Sequence, residues 1–312
     1  MAETSLLCSG GITFWILIDT PDTSPLCACE TFNRKKGLIK LPGTPAAEVP
    51  VIGVASVFTP SHNRGKGYAG VMMQLLSKRL REITGGQGIS VLYSDIGPQF
   101  YDKNGGWKSV DAFELELKAS KVFHGIENST SILLEHAKEA IERDVRRLRE
   151  EFATMGDCEA TVVQLIPQYG ELEWAHIRGK HAAERFKVEV GDIVGVEVST
   201  PRDEDWGYIL WFHEFKESSL TVLRLREPAS DSSLLGLLQA ALDEARRCQL
   251  PKITIWTSSQ RLETLTGCQI NRRTSSLPAL LLLGAGERTD SDDPGSETRK
   301  LVWRNIEKLG WC

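Results

Sequence analysis

A short stretch between a predicted strand and a predicted helix carries the residue types of an anion site. The β-branched run 51–58 is typical of a strand, and apolar residues recur at helical spacing over 71–80. Between them lies Arg64-Gly65-Lys66-Gly67. Free N–H groups and the dipole at a helix N-terminus favour negative charge, and the two glycines and two cations favour the approach of a phosphate. A solvated turn with incidental basic residues is the plain alternative.

Two other phosphate-binding motifs fit this stretch less well. A P-loop needs Lys-Ser or Lys-Thr after its last glycine, and neither follows Gly67. Gly65, Gly67 and Gly70 do have the GxGxxG spacing of a Rossmann loop. The acid that should follow at the end of the next strand is not clearly present, since Glu82 falls within the predicted helix. A strand hairpin also precedes the loop, so a Rossmann unit is the weaker interpretation.

Residues 51–76 resemble the acetyl-CoA-binding segment of GNAT N-acetyltransferases, whose fingerprint is Gln/Arg-x-x-Gly-x-Gly/Ala. Arg64, Gly67 and Ala69 occupy its three fixed positions. The resemblance implies an α/β fold with a mixed sheet, and acetyl-CoA as cosubstrate. It also implies which residues contact the cosubstrate: the backbone of Val57, Phe58 and Thr59 along the pantetheine arm, and Arg64, Gly65, Lys66, Gly67, Tyr68 and Ala69 at the pyrophosphate.

A second stretch resembles the same family. A predicted strand over 91–96 is followed by Phe100-Tyr101 and by Gly105-Gly106-Trp107, which is one residue longer than the family pattern. In that family the tyrosine often protonates the departing CoA thiolate, so the resemblance implies this role for Tyr101; an aromatic core residue is the alternative. The acceptor amine must lose a proton, because an alkylammonium has a pKa of about 10.4. Glu30 and Asp95, near strand ends, are candidate bases, with plain surface carboxylates as the alternative.

More narrowly, four segments resemble the fungal lysine N6-acetyltransferase family: 10–15, 29–31, 92–97 and 310–312. This resemblance implies the side-chain amine of free lysine as acceptor, and an additional C-terminal domain. GNAT domains normally begin with a strand and two helices that wall the acceptor pocket, whereas only about ten residues precede the first predicted strand here. Two alternatives therefore stay open: a GNAT enzyme acting on another metabolite, and a CoA-binding but catalytically inactive regulatory or interaction module.

The predicted elements divide the chain into a GNAT-type acetyl-CoA-binding domain (1–120), a connector helix (121–157) and a C-terminal α/β domain (158–312). In the C-terminal part, three strands, a helix and a strand follow the same order as in the first part, which suggests a diverged GNAT-like repeat. There, the segment 226–232 stands where a phosphate loop would be, but it has no glycine and contains Glu227 and Asp231. We therefore expect one CoA site per chain. Residues 33–50 are predicted as a loop, and 301–312 as a helix.

Composition excludes several function classes. The formal net charge of −5 and the lack of a basic block argue against nucleic-acid binding. No apolar run is long enough to cross a bilayer. The seven cysteines form no CxxC pair and have no histidine at zinc-ligand spacing, so we expect no metal and reduced thiols in a cytoplasmic protein. The expected partner is a small-molecule amine, and the sequence does not indicate an oligomeric state.

Overall fold

The computed structural model describes residues 3–4, 11–20, 24–125, 129–198, 205–284 and 300–310. The first part of the chain forms β1 (Glu3–Thr4), β2 (Ile12–Leu17), β3 (Cys27–Lys40), β4 (Ala47–Phe58), α1 (Tyr68–Ile83), β5 (Ile89–Ser94), α2 (Gln99–Gly105), β6 (Lys108–Ser109) and β7 (Phe113–Lys118). The rest forms β8 (Ser129–Leu133), α3 (Ala137–Ala153), β9 (Thr161–Leu165), α4 (Tyr169–Phe186), β10 (Ile193–Val198), β11 (Gly207–Glu214), β12 (Ser219–Arg226), α5 (Asp231–Arg247), β13 (Lys252–Trp256), α6 (Gln260–Thr266), β14 (Ile270–Arg272), β15 (Leu277–Leu282) and β16 (Leu301–Trp303). Within these ranges, no helix combines the length and the apolar character that a membrane span requires.

These elements build two mixed β-sheets, which confirms the predicted α/β fold class. The first sheet has the order β1-β2-β3-β4-β5-β15-β6, with β9 also paired to β3 and β16 to β9. The second has the order β14-β7-β13-β12-β11-β10-β8. In each sheet the central pair, β4–β5 or β12–β13, is parallel, and most of the remaining pairs are antiparallel.

The two sheets are repeats of one plan. The order β2-β3-β4-α1-β5-α2-β6 in the first part matches β10-β11-β12-α5-β13-α6-β14 in the second. The seventh strand is exchanged between them: β7 inserts between β13 and β14, and β15 inserts between β5 and β6. The suspected internal repeat is therefore present as a structural repeat, and its two copies are interlocked by a strand from each.

This exchange differs from the predicted division at residues 120 and 158. β7 lies before residue 120 but belongs to the second sheet, whereas β9, β15 and β16 lie after residue 158 and belong to the first. The predicted connector helix, α3, is not a linker either: its buried residues Ile141, Val145 and Leu148 pack in one cluster with Leu210 and other residues of the second sheet. Sequence periodicity predicts a strand or helix and its buried face, but not the partner that covers it.

Two segments differ from their predicted form. β3 and β4 continue into the predicted loop 33–50, because Gly37 lets the strands pack closely: a Cβ there would lie 2.9 Å from Val51 Cγ2. Residues 301–303 form the strand β16, parallel to β9, where helical spacing predicted a helix. Both segments cover the same face of the first sheet, where Trp303 packs with Val163 and Val91. Residues 311–312 lie outside the described ranges.

The hydrophobic clusters show which faces of the two sheets are covered and which are exposed. α1 packs on one face of the first sheet through Met73, Leu76 and Leu80. The second sheet is covered on both faces, by α5 on one side and by α3 on the other. On the first sheet, the face opposite α1 is covered near β5 by β9 and β16. Toward β2 and β4 the same face presents exposed apolar side chains, Phe14, Ile16 and Phe58.

Candidate active site

A bulge in β4 opens a slot between the two parallel strands of the first sheet. Ala28 pairs with Phe58 and Glu30 with Ala55, so two steps on β3 face three steps on β4. Ser56 within this bulge has a φ of +54°, an uncommon conformation for a residue with a side chain. Bulges bend a strand and often lie next to active sites. The ladder between β4 and β5 accordingly ends at the pair Val54–Leu92, four residues before β4 itself ends.

The predicted pantetheine contacts lie on the slot side of this bulge. Val57 is half-buried against the α1 core, and Phe58 is 56% exposed. Thr59 follows the strand, and its hydroxyl donates to Cys27 Sγ at 3.4 Å. Because the β4–β5 ladder has ended here, the backbone of this segment is positioned to pair with an extended ligand rather than with β5.

The predicted phosphate loop leads directly into α1. Gly65 and Gly67 have φ values of +74° and +83°, and Gly67 is the N-cap residue. Among the described residues, no side chain caps this helix and no acid lies in its first turn. A Cβ on either glycine would meet no described atom within 4 Å, so glycine is needed here for its left-handed backbone rather than for space. A 16-residue helix thus presents an uncapped N-terminus.

The side chains of the loop hold its shape and supply positive charge. Arg64 is exposed, and its Nε donates to the carbonyl oxygen of Thr59 at 3.1 Å. Lys66 Nζ lies 3.5 Å from Oδ1 of the buried Asn63. Tyr68 and Ala69 are the first residues of α1 and are half-buried. Two cations and a helix N-terminus therefore converge on one exposed loop, next to the end of the slot.

Gly70, which completes the Rossmann-like spacing, has a packing role instead. It lies inside α1, where a Cβ would come within 2.6 Å of Asn104 Oδ1 on α2. Asn104 is held in place by donating to the carbonyl oxygen of Phe100 at 2.8 Å. The third glycine thus lets two helices approach each other.

Tyr101 lies on α2 and is half-buried against the α1 core. Burial, and to a smaller extent the nearby Asp95 carboxylate and the thiols of Cys29 and Cys27, together raise the pKa of Tyr101 to about 12. The hydroxyl therefore stays protonated at neutral pH and can donate a proton or a hydrogen bond.

The departure from the family pattern after Tyr101 has a steric explanation. A Cβ on Gly105 would lie 2.3 Å from Cζ3 of the fully buried Trp107. Gly106 ends α2 with a φ of +82°. The pair of glycines thus lets the indole fold back under α2 and fix the helix that carries Tyr101.

The two candidate bases have different surroundings. Asp95 is exposed, and its Oδ1 accepts hydrogen bonds from the backbone N of Ser276 at 2.8 Å and from its hydroxyl at 3.2 Å. Asp95 therefore anchors the start of β15. Glu30 is half-buried on β3, paired with Phe14 on one side and with Ala55, where the bulge begins, on the other.

Glu30 and Tyr101 lie on opposite faces of the first sheet. Side chains alternate along a strand, so Glu30 points away from the face of its neighbour Cys29. Cys29 and Tyr101 both pack in the α1 core, whereas the partner of Glu30, Ala55, shares its face with Val51 of the opposite core. The Tyr101 hydroxyl and the Glu30 carboxylate thus belong to opposite faces of the sheet, on either side of the bulged strand pair.

The corresponding helix N-terminus of the second repeat is closed by the protein itself. Ser230 caps α5 by accepting from the backbone N of Ser233 at 3.3 Å. The Asp205 carboxylate accepts from Ser230 N at 2.7 Å and from the hydroxyl of Ser233 at 3.0 Å. A carboxylate therefore occupies the position where an anionic ligand would bind, in line with the prediction of one CoA site.

One cluster that the sequence spacing missed lies in the second repeat. Nε2 of the buried His213 is 2.6 Å from Oε1 of Glu244, and Cys248 follows directly after the end of α5, close enough for the three groups to surround a metal ion. Arg247 already binds both oxygens of Glu244 at 2.7 Å. Burial raises the pKa of Cys248 to about 12, so its thiol stays protonated. This donor set does not fit a cation, because a guanidinium occupies the carboxylate.

Comparisons with known proteins agree with this fold. The family described as the LYC1 GNAT-like C-terminal domain matches residues 115–312. A protein named lysine acetyltransferase, from Yarrowia lipolytica strain CLIB 122 / E 150, is 25% identical over 373 residues, covering 98% of this chain and 89% of that protein.

Solved structures share the fold. A GCN5-related N-acetyltransferase from Kribbella flavida has a TM-score of 0.52 at 14% identity, over 85% of this chain and 58% of that one. A probable N-acyltransferase from Enterococcus faecalis V583 has a TM-score of 0.52 at 11% identity, over 88% and 62%. This chain thus spans about three fifths of the length of these structures. Because the family match covers more than half of the chain, the protein belongs to the LYC1-like family of GNAT acetyltransferases.

Proposed function

We propose that this chain transfers the acetyl group of acetyl-CoA to a primary amine, and that the side-chain amine of free lysine is the acceptor. The observation that carries the cosubstrate is the uncapped N-terminus of α1 at the end of the β4–β5 slot. The similarity to a protein named lysine acetyltransferase supports the acceptor.

The loop and the slot would hold the two ends of the cosubstrate. Backbone N–H groups of residues 65–69 face the pyrophosphate, and Arg64 and Lys66 balance its charge. The pantetheine arm pairs with the backbone of residues 57–59, as an added strand would. One N–H of this segment then polarises the thioester carbonyl, a contribution that is large where water is excluded.

In the proposed reaction the neutral amine attacks the thioester carbonyl carbon, the new C–N bond forms and the C–S bond breaks. Tyr101 donates to the departing thiolate from the α1 face. Glu30, directly or through water, takes the proton that the amine loses on the other face. Asp95 orients the start of β15 rather than acting as the base, since Ser276 occupies its Oδ1. Holding both reactants in place contributes about 7–11 kcal/mol in such reactions.

Isothermal titration of acetyl-CoA into the full chain tests the cosubstrate. We expect one site per chain, and loss of measurable binding in an Arg64→Glu, Gly67→Asp double variant, because both changes place negative charge at the phosphate loop. Arg79→Glu is the matched control: it reverses one charge on the same helix, where Arg79 pairs with Glu82 on the surface.

The titration distinguishes the proposed enzyme from its alternatives. Absence of binding to the wild-type chain would overturn the proposal, and two sites per chain would contradict the prediction that the second repeat is closed. Binding without release of CoA thiol in the presence of lysine or other amines would favour the catalytically inactive CoA-binding module.

A further inference from the structure

The open face of the first sheet carries a shallow trough around Glu30. Six residues on three neighbouring strands form it: Phe14 and Ile16 of β2, Ala28 and Glu30 of β3, and Ala55 and Phe58 of β4. Across these strands Phe14, Glu30 and Ala55 are paired in one row, and Ile16, Ala28 and Phe58 in the next. Directly paired residues of antiparallel strands place their side chains on the same face, so all six lie on the face opposite α1.

Large and small side chains alternate across this Glu30 trough. Ile16 and Phe58 stand on either side of Ala28, on strands two places apart. Neighbouring strands are about 4.8 Å apart, so the two walls rise from backbones about 10 Å apart. That separation leaves the width of one hydrocarbon chain between the side chains, which touch a ligand at about 4 Å. Ile16 is 55% exposed and Phe58 is 56% exposed, so both walls are accessible.

Glu30 supplies the one charge among the six trough residues. It is half-buried, and no hydrogen bond or ion pair to another described residue occupies its carboxylate. Between Glu30 and the slot lies Ala55, which carries only a methyl group. The carboxylate is therefore at the end of the trough that borders the slot, with no large side chain in between.

The lining of the trough defines the chemistry of its ligand. An unpaired carboxylate attracts a cation, and the apolar walls favour a hydrocarbon chain. Ala28 and Glu30 are two residues apart on β3, or about 7 Å, and an extended chain of five single bonds spans about 6 Å. A primary alkylammonium with an arm of about five carbons matches the charge, the width and the length.

Phe58 joins the trough to the predicted cosubstrate site. Its backbone belongs to the segment 57–59 that is proposed to pair with the pantetheine arm, and the centroid of its ring lies 6.0 Å from Cζ of Arg64 in the phosphate loop. The same residue thus stands between the phosphate loop and the trough, which places the trough beside the proposed path of acetyl-CoA.

We infer that the Glu30 trough holds the hydrocarbon arm of the acceptor, and that Phe14, Ile16 and Phe58 make amines with an unbranched arm of about five carbons the preferred acceptor class. This inference rests on the proposed function, because it positions the acceptor of that reaction. Phe14, Ile16 and Phe58 are positioning residues in it: they contact the arm and bring the amine to Glu30.

A series of unbranched primary amines from ethylamine to pentylamine tests the inference, because its members share an ammonium pKa of about 10.4 and differ in the arm. Full burial of a methylene strengthens binding about fourfold, so half-burial in an open trough strengthens it about twofold. At saturating acetyl-CoA we expect kcat/KM for pentylamine, measured by release of CoA thiol, to be about eightfold higher than for ethylamine.

Ile16→Ser removes one wall of the trough at an exposed position. In this variant the ratio of kcat/KM between pentylamine and ethylamine should fall to about threefold or less. Ile193→Ser is the matched control: Ile193 is 39% exposed on β10, the strand that corresponds to β2 in the second repeat, and its variant should keep the ratio at about eightfold.

Binding without turnover separates this inference from the proposed function. In ligand-observed NMR titrations of the full chain saturated with CoA, pentylamine should bind about eightfold more tightly than ethylamine. Equal binding of the two amines, or an unchanged ratio in Ile16→Ser, would overturn the inference even if every amine is acetylated. Length-dependent binding without release of CoA thiol from acetyl-CoA would instead overturn the proposed function and leave the ligand class of the trough standing.

The oligomeric state tests the other occupant of an apolar face, a second copy of the chain. We expect sedimentation of the wild type and of Ile16→Ser to give the same molecular mass. A wild-type dimer that becomes a monomer in Ile16→Ser would assign this face to contact between copies and would overturn the inference.

Discussion

Replacing Tyr101 with phenylalanine tests the proposed acid, and the structure limits the size of the effect. The pKa of Tyr101 is raised to about 12, whereas an ordinary alkyl thiol has a pKa of about 8.5. Full proton transfer to the thiolate is therefore unfavourable by about 3.5 units, so the hydroxyl acts mainly as a hydrogen-bond donor to the developing charge. Removing one such donor from an active site typically lowers kcat by about 10²-fold, or about 2.7 kcal/mol.

The assay is the release of CoA thiol at saturating acetyl-CoA, with lysine as the acceptor. We expect Tyr101→Phe to lower kcat about 10²-fold, with little change in the dissociation constant for acetyl-CoA. Because Tyr101 stays protonated to about pH 12, the rise of the rate with pH should keep its position and only its height should fall. Tyr169→Phe removes the same atom from a tyrosine that contacts Glu173 on α4, and should have no effect. A kcat within threefold of the wild type for Tyr101→Phe would refute the role.

Two further predictions concern stability. Gly105→Ala should lower the free energy of unfolding by about 1–3 kcal/mol, because its Cβ would meet the buried Trp107 ring. Gly156→Ala is the control and should be neutral, since no described atom lies within 4 Å of its Cβ. Thermal denaturation compares the two variants, and equal melting temperatures would contradict the packing argument. The last prediction concerns Glu244. Burial raises the pKa of this carboxyl, but its contacts with His213 and Arg247 lower it more, so the pKa falls from 4.5 to about 2. A lowered pKa in the folded state contributes stability that is present above pH 4.5 and is lost as the pH falls toward 2. Urea denaturation across this window should show a shallower loss for Glu244→Gln than for the wild type, and parallel curves would contradict this assignment.

Local signals made part of the site predictable. The phosphate loop is specified by glycines at two left-handed positions and by the helical periodicity that follows at once, and all of these lie within a few residues. The resemblance of residues 51–76 to the GNAT family implied the fold class, and the two mixed sheets confirm it. The roles of Tyr101 and Glu30 stay predictions, because the structure shows their positions and not a reaction.

The strand exchange could not be predicted in this way. β7 alternates in the pattern of a half-buried strand, but nothing local distinguishes β6 from β13 as its neighbour. The neighbour with which a strand pairs depends on the whole fold, so it cannot be predicted from the sequence of that strand alone.

The second repeat has a bulge at the position that corresponds to the slot of the first. The register of β11 and β12 shifts between Leu210 and Trp211, so β12 has a bulge of its own near the point where its ladder with β13 ends. Arg224, just past that point, is 2% exposed, and its Nε and Nη2 bind the fully buried Asp144 of α3 at 2.7 and 3.1 Å.

Glu307 completes this ion network by accepting from Arg224 Nη1 at 2.6 Å and from the backbone N of Leu225 at 3.2 Å. A buried charge network of this kind is costly to break, since each partner left alone is an uncompensated buried ion. The network ties β12 to α3 beside this bulge, while Asp205 and Ser230 close the N-terminus of α5.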